Sequence, residues 1–455
     1  MARKWIGLAF LWVIFLMAAS WLSFQLPVQP RFTLPSSTIF FFRLSPDSRS
    51  LATLEVDDRY NYGDELGPQR RGPARLWDIT GRESGVFGAE EKITDLLFSP
   101  DGKLLALKKV LKGYIDFDLY DLETCQKTTT IRVDTEGYFL EPRFCFSPDG
   151  KSFVFETVDK NGTHLKSRDL STQQERFILN KTGRVTFSPG GEIMAVIPNY
   201  ENTLMLIDPK TLEEKRRIKV SEGRAWETLF SPDGKMLAAN IDRSIAASSI
   251  PRHLAIQVWE VETGKELLTL DGRSHPIFLR DGRTLLTRNQ EGDIFEKGMK
   301  LELRDIKTGR ELGAMTVLPK SRACGGPIPV PGTDLLAIYG SHETEPNVVV
   351  EWLKRFFHAG APGSSETWNE IKLLNPINGR EELSFVQEGP WIYDVKIPPN
   401  GKWLATRAQT YKDFVITVWD IPPRRPGTWI IWVLVTIPFV VTLVVICRGA
   451  RPFSK

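Results

Sequence analysis

The side chains best suited to chemistry are five histidines, His164, His253, His275, His342 and His358, and four cysteines, Cys125, Cys145, Cys324 and Cys447. No two histidines stand at an H-x-E or H-E-x-x-H spacing, so none shares the turn or helix face that a zinc site needs. The cysteines lie far apart with no C-x-x-C pair, which excludes a zinc ribbon and a disulfide framework. No G-x-S-x-G elbow, Walker loop or dinucleotide fingerprint occurs. The expectation is therefore no catalytic residue, no cofactor and no metal.

Acidic residues have two readings. Asp57, Asp58, Asp64 and Glu65 share one polar stretch, but their spacing is not that of an EF-hand and Arg70 and Arg71 follow closely. Asp159, Asn161 and Gly162 read as a tight turn. A second set, Asp95, Glu141, Arg143, Glu227 and Asp394, precedes copies of one recurring phrase, which places these residues where a central channel would be. They are the candidates for a ligand-binding or enzymatic alternative. Lys and Arg number 59 against 56 Asp and Glu, a net of +3, so no nucleic-acid partner is implied.

What positions these residues is a repeat. FSPDGKLLA begins at Phe98, FSPDGKSFV at Phe146, FSPGGEIMA at Phe187 and FSPDGKMLA at Phe230, with weaker copies LSPDSRSLA from Leu44, FLRDGRTLL from Phe278, PVPGTDLLA from Pro329 and IPPNGKWLA from Ile397. Apolar residues on either side belong to antiparallel strands; Pro presets φ, Asp or Asn caps the turn, and Gly takes the φ > 0 position. The turn residues are thus Asp47, Asp101, Gly102, Asp149, Gly150, Gly191, Asp233, Gly234, Asp281, Gly282 and Gly401, all structural. A second phrase alternates with the first, ending strands at Trp77-Asp78, Tyr120-Asp121, Arg168-Asp169, Ile207-Asp208, Trp259-Glu260, Arg304-Asp305, Leu374-Asn375 and Trp419-Asp420. One unit is a four-stranded meander, and stacking such sheets radially protects their edges. The fold class is all-β, a β-propeller of about eight four-stranded blades over 27–421, with seven the alternative because PVPGTDLLA is degenerate. Pro422 and Pro423 leave the last blade one strand short, and Arg31 to Leu34 can supply it.

Together the two phrases resemble the WD-repeat family, and the bacterial TolB-like propellers are equally similar. The family's Gly-His before each repeat is missing, with His275 the near match. The resemblance implies a protein-interaction scaffold.

Two apolar runs flank the repeats. Trp5 to Leu26 is charge-free and long enough to cross a bilayer as a helix, although Ala18, Ala19 and Ser20 also fit a signal cleavage site. Thr428 to Cys447 is charge-free, with Trp429 and Trp432 suited to an interface. Residues 1–4 and 448–455 are basic, which places both tails in the cytoplasm and the propeller outside, while Arg424 and Arg425 in the linker 422–427 argue for a cytoplasm-facing scaffold. Insertions interrupt the repeat at 57–73, 242–252 and 341–370. In the last, Val350, Trp352, Leu353, Phe356 and Phe357 fall on one side of a helical period, a candidate contact for a partner or the membrane. The expected protein is a membrane-anchored, non-enzymatic propeller.

Overall fold

A computed structural model describes residues 12, 16–17, 28–36, 39–55, 72–88, 93–111, 113–134, 143–160, 162–199, 201–243, 253–289, 298–318, 323–342, 368–388, 391–409 and 414–422. These residues form strands β1 to β32 in eight antiparallel four-stranded sheets. Blades 1 to 7 are β2–β5 (39–87), β6–β9 (93–134), β10–β13 (144–179), β14–β17 (183–219), β18–β21 (224–271), β22–β25 (273–317) and β26–β29 (323–388). Blade 8 joins β30–β32 (391–420) to β1 (Phe32–Ser36), the first strand in the chain. The degenerate phrase at Pro329 makes a full blade, because Thr333, at the Gly position, takes over the bond that Ser makes in the regular turns: its Oγ1 donates to the Val330 carbonyl at 2.9 Å and accepts from Leu335 N at 3.1 Å, as Ser99 Oγ accepts from Leu104 N.

The apolar core is divided rather than central. Eight buried clusters each join two neighbouring blades, and the last, with Trp403, Ile416 and Val418 against Phe42 and Leu51, closes blade 8 on blade 1. Successive side chains of a strand point to opposite faces. In β7 (Leu104–Leu111), Leu105 and Leu107 therefore pack toward blade 1 while Ala106 packs toward blade 3. Burial on both faces makes the middle strands near-continuous apolar runs, such as the fully buried β15 (Met194–Pro198). Outer strands such as β17 (Glu214–Lys219) are polar and mostly exposed.

The Ser-Pro-Asp-Gly turns also touch one another. Within a turn, Ser231 Oγ donates to Asp233 Oδ1 at 2.6 Å and accepts from Met236 N at 2.9 Å, and Asp233 also accepts from Lys235 N at 3.1 Å. The Ser231 hydroxyl holds the Asp233 carboxyl below its ordinary range. Between turns, Gly102 faces Asp47, Gly150 faces Asp101 and Gly282 faces Asp233, each in the preceding blade. Asn400 N donates to Ser48 Oγ at 3.1 Å and completes the ring.

Closure of the propeller follows the expected clasp. β1 pairs with β32 (Phe414–Asp420) from Phe32↔Val418 to Ser36↔Phe414, and Arg31 pairs with Asp420. Trp403 Nε1 donates to the Ser48 carbonyl at 3.0 Å, tying blade 8 to blade 1 a second time.

The meander gives the propeller two unlike faces. First-to-second and third-to-fourth strand turns share one face; second-to-third connections and blade-to-blade links share the other. Arg31 and Asp420 lie at the turn face. The first two insertions leave and rejoin the opposite face at Leu54↔Ala74 and Asp242↔Leu254. The third does so at His342↔Trp368, inside the expected bounds of 341–370, because ladder pairing carries both strands further. A fourth interruption, between Asn289 and Met299 on the same face, has no signal in the repeat pattern.

The apolar runs 5–26 and 428–447 and the residues Trp352, Leu353, Phe356 and Phe357 lie outside the described residues, apart from Trp12, Leu16 and Met17, which are helical. Among the described residues no helix is long and apolar enough to cross a membrane.

Candidate functional site in the central channel

The innermost strand of each blade has its free edge on the channel. Counting three residues back from the apolar residue that opens each turn gives one equivalent position per blade. In blades 1 to 4 it holds Phe41, Asp95, Arg143 and Arg184, and in blades 5 to 8 Glu227, His275, Gly326 and Asp394. None of the eight is more than partly buried, whereas the next residue along is buried in Phe42, Leu96, Thr228, Pro276, Pro327 and Val395. A register break occurs close to this position in six inner strands, between Ile39/Phe41, Ile93/Asp95, Ala225/Glu227, Ser274/Ile277, Gly325/Ile328 and Ile392/Asp394. Such bulges re-aim side chains, and here they turn a tier of mixed charge toward the channel.

The tier has two sectors. Around blades 8, 1 and 2 the charges answer one another: Lys396 Nζ lies 2.9 Å from Asp394 Oδ2 and donates to the Phe42 carbonyl at 2.7 Å, and Arg43 lies 3.9 Å from Asp95. The Lys396 ammonium also sits 4.7 Å from the Phe42 ring centroid. Burial lowers the Lys396 pKa and raises that of Asp95, and Arg43 opposes the latter shift. This sector is internally neutralised.

Around blades 3 to 6 the pairing is less complete: Arg143 lies 3.8 Å from Glu156, and Arg184 has Glu227 and Glu156 only at longer range. Arg143 and Arg184 occupy equivalent positions on adjacent blades, and burial together with Arg143 lowers the pKa of Arg184. Glu156, behind Arg143, accepts from Arg143 N at 2.9 Å, and burial raises its pKa. On the far side Glu227 Oε2 accepts from Asn240 Nδ2 at 3.0 Å, and Asn240 Oδ1 accepts from His275 N at 3.0 Å. Across blades 3 to 5 lies a cavity of about 240 Å³ lined by Arg143, Arg184 and Glu227 with apolar neighbours.

The sector holds few nucleophiles. Cys145 borders the cavity, but burial pushes its thiol up to about 12, so the thiolate is not populated at neutral pH. Ser274 Oγ is 2.9 Å from His275 Nδ1, yet Ser274 is fully buried and cannot meet a substrate. Burial and Arg288 lower the His275 pKa. His275, the near match to a Gly-His motif, thus sits on the channel strand rather than at an outer packing position. Among the described residues no three His, Cys, Asp or Glu side chains are grouped to hold a metal ion.

Of the polar residues expected at the channel, Arg143 and Glu227 come together at the cavity, Asp95 and Asp394 belong to the neutralised sector, and Glu141 lies outside the described residues. Arg184 was missed, although it stands three residues before Phe187 in GRVTFSPGG.

No protein-family model matches this chain, and no curated protein does. Solved structures do. A Dos1 propeller superimposes with a TM-score of 0.54 at 12% identity, covering 87% of this chain and 96% of that one. This chain is a β-propeller. Hydrazine synthase from Kuenenia stuttgartiensis gives a TM-score of 0.45 at 14% identity over 85% of this chain and 96% of that one, and a eukaryotic initiation factor 0.49 at 13% over 77% and 80%. At such identities the likeness concerns the fold alone.

Proposed function

We propose that this chain is a membrane-anchored, WD-repeat-like propeller that acts as a non-enzymatic interaction scaffold, with its turn face toward the bilayer and its insertion face toward a protein partner. The observation that supports this reading is the polarity of the propeller. Both chain ends leave at the turn face of blade 8, clasped by Arg31 and Asp420, and the apolar runs 5–26 and 428–447 follow in sequence on either side. The insertions attach at the other face. Rigid scaffolds commonly carry their contacts on such loops. On this reading Trp352, Leu353, Phe356 and Phe357 serve a partner rather than the membrane, since His342 and Trp368 hold their insertion on the face away from the chain ends. Pairing of Lys396 with Asp394 and of Arg43 with Asp95, and burial of Ser274 beside His275, favour the non-enzymatic role.

Accessibility tests the arrangement. Lys160 is exposed in the second-to-third strand turn of blade 3. Lys160→Cys in a Cys125→Ser background is expected to react with an impermeant thiol reagent in intact cells and to stay with the membranes after alkaline extraction. Protection until lysis would reverse the topology, and release by alkali would remove the anchor. A photo-crosslinker at Lys160 should give partner adducts that one at exposed Glu123, on the turn face, does not; equal adducts from both would defeat the scaffold orientation.

A further inference from the structure

The cavity that spans blades 3 to 5 joins two arginines to an apolar wall. At its mouth Arg184 makes no ion pair among the described residues, and Arg143 approaches Glu156 only to 3.8 Å. Glu156 accepts from Arg143 N through Oε2 alone. Arg184 is repelled by Arg143 and drawn only at longer range by Glu227 and Glu156, so it is the guanidinium left to meet an anion from the channel. The wall behind them is apolar, formed by Phe144, Val154, Leu165 and Val185. Thr186 and Thr228, hydrogen-bonded to each other at 3.0 Å across blades 4 and 5, border the other side.

We propose that this cavity binds a small organic monocarboxylate, with Arg143 and Arg184 holding the carboxylate and the apolar group lying against Phe144, Val154, Leu165 and Val185. The planar guanidinium fork matches a carboxylate in two-point geometry, which an ammonium cannot do. A volume of about 240 Å³ admits a ring or a short chain and excludes a large cofactor. Glu227, at the cavity's far edge, repels a second negative charge and so selects monoanions over dianions. The site goes beyond the scaffold reading and does not depend on it, because every residue involved lies in the described blades.

The test uses the full chain in detergent micelles and 4-fluorobenzoate as the probe, followed by ligand-observed fluorine NMR, with unfolding midpoints confirming that each variant is folded. Binding should weaken about tenfold or more in Arg184→Gln and in Arg143→Gln, as loss of a charge-assisted pair requires, and should tighten in Glu227→Gln, whose amide oxygen still accepts from Asn240. Acetate, lacking the apolar group, and 4-fluorobenzyl alcohol, lacking the charge, should compete poorly. Absence of probe binding to the wild-type chain, unchanged binding in both arginine variants, or competition by acetate or the alcohol equal to that of benzoate would each overturn the proposal. Crosslinking at Lys160 is independent of all these outcomes, so failure of the site and failure of the scaffold are separately visible.

Discussion

Gly401 and Gly102 occupy the same turn position in different blades and should respond unequally to the same added methyl group. Both have positive φ, +63° and +70°. A non-glycine residue there costs about 1–2 kcal/mol, offset by about 0.4–1 kcal/mol because alanine restricts the unfolded chain. At Gly102 little else changes, since the new Cβ would lie 3.7 Å from Asp47 Cβ, an ordinary contact. At Gly401 it would lie 2.3 Å from the Pro331 carbonyl oxygen, roughly an ångström too close. Pro331 belongs to the neighbouring turn of a closed ring, and its fixed φ limits how it can withdraw. Overpacking of this kind adds about 1–3 kcal/mol. Gly102→Ala should therefore cost up to about 1.5 kcal/mol and Gly401→Ala about 1–4.5 kcal/mol, with Gly401→Ala always the worse of the two. Thermal unfolding followed by tryptophan fluorescence compares them directly. Equal midpoint shifts, or a larger shift for Gly102→Ala, would refute the idea that contact between successive turns holds the ring together.

Two further perturbations address the clasp and a buried carboxyl. Arg31→Ala removes the pair with Asp420 and the contact of Arg31 with the Ile79 carbonyl; a loss of about 1.5–3 kcal/mol is expected, with faster protease cleavage around residues 28–36, and an unchanged midpoint and cleavage rate would show that the clasp rests on the β1–β32 ladder alone. Glu156→Gln probes pH dependence. Because burial raises the folded-state pKa of Glu156 above its unfolded value, its charged form opposes folding; the cost is full above the folded pKa and disappears as pH falls below the unfolded pKa. The variant should equal or exceed the parent in stability at pH 7 and lose that advantage toward pH 4, and a wild-type advantage that grows with pH would contradict this sign.

The eightfold repeat, the turn chemistry and the clasp were legible in the chain because each is local or periodic. Asp, Gly and Pro impose a hairpin over a few residues wherever the phrase occurs, and a blade short by one strand at Asp420 needs one from elsewhere. Even the poor copy at Pro329 kept its apolar flanks, which sufficed once Thr333 supplied the hydroxyl bond that Ser makes in the regular turns. Tertiary structure alone decided which charges meet. Arg143 and Arg184 lie far apart in sequence, in blades whose phrases differ, and nothing in either phrase says that one side chain is left unanswered while Arg43 finds Asp95 and Lys396 finds Asp394. The bulges that turn this tier inward follow no single residue signature, since the skipped residue is aromatic at Phe40, Trp226 and Tyr393 but is Thr94 in blade 2. Polarity of the faces has the same origin. The chain ends and the insertions are scattered along the sequence, and only the closed antiparallel order of the blades sends the ends to one face and the insertions to the other.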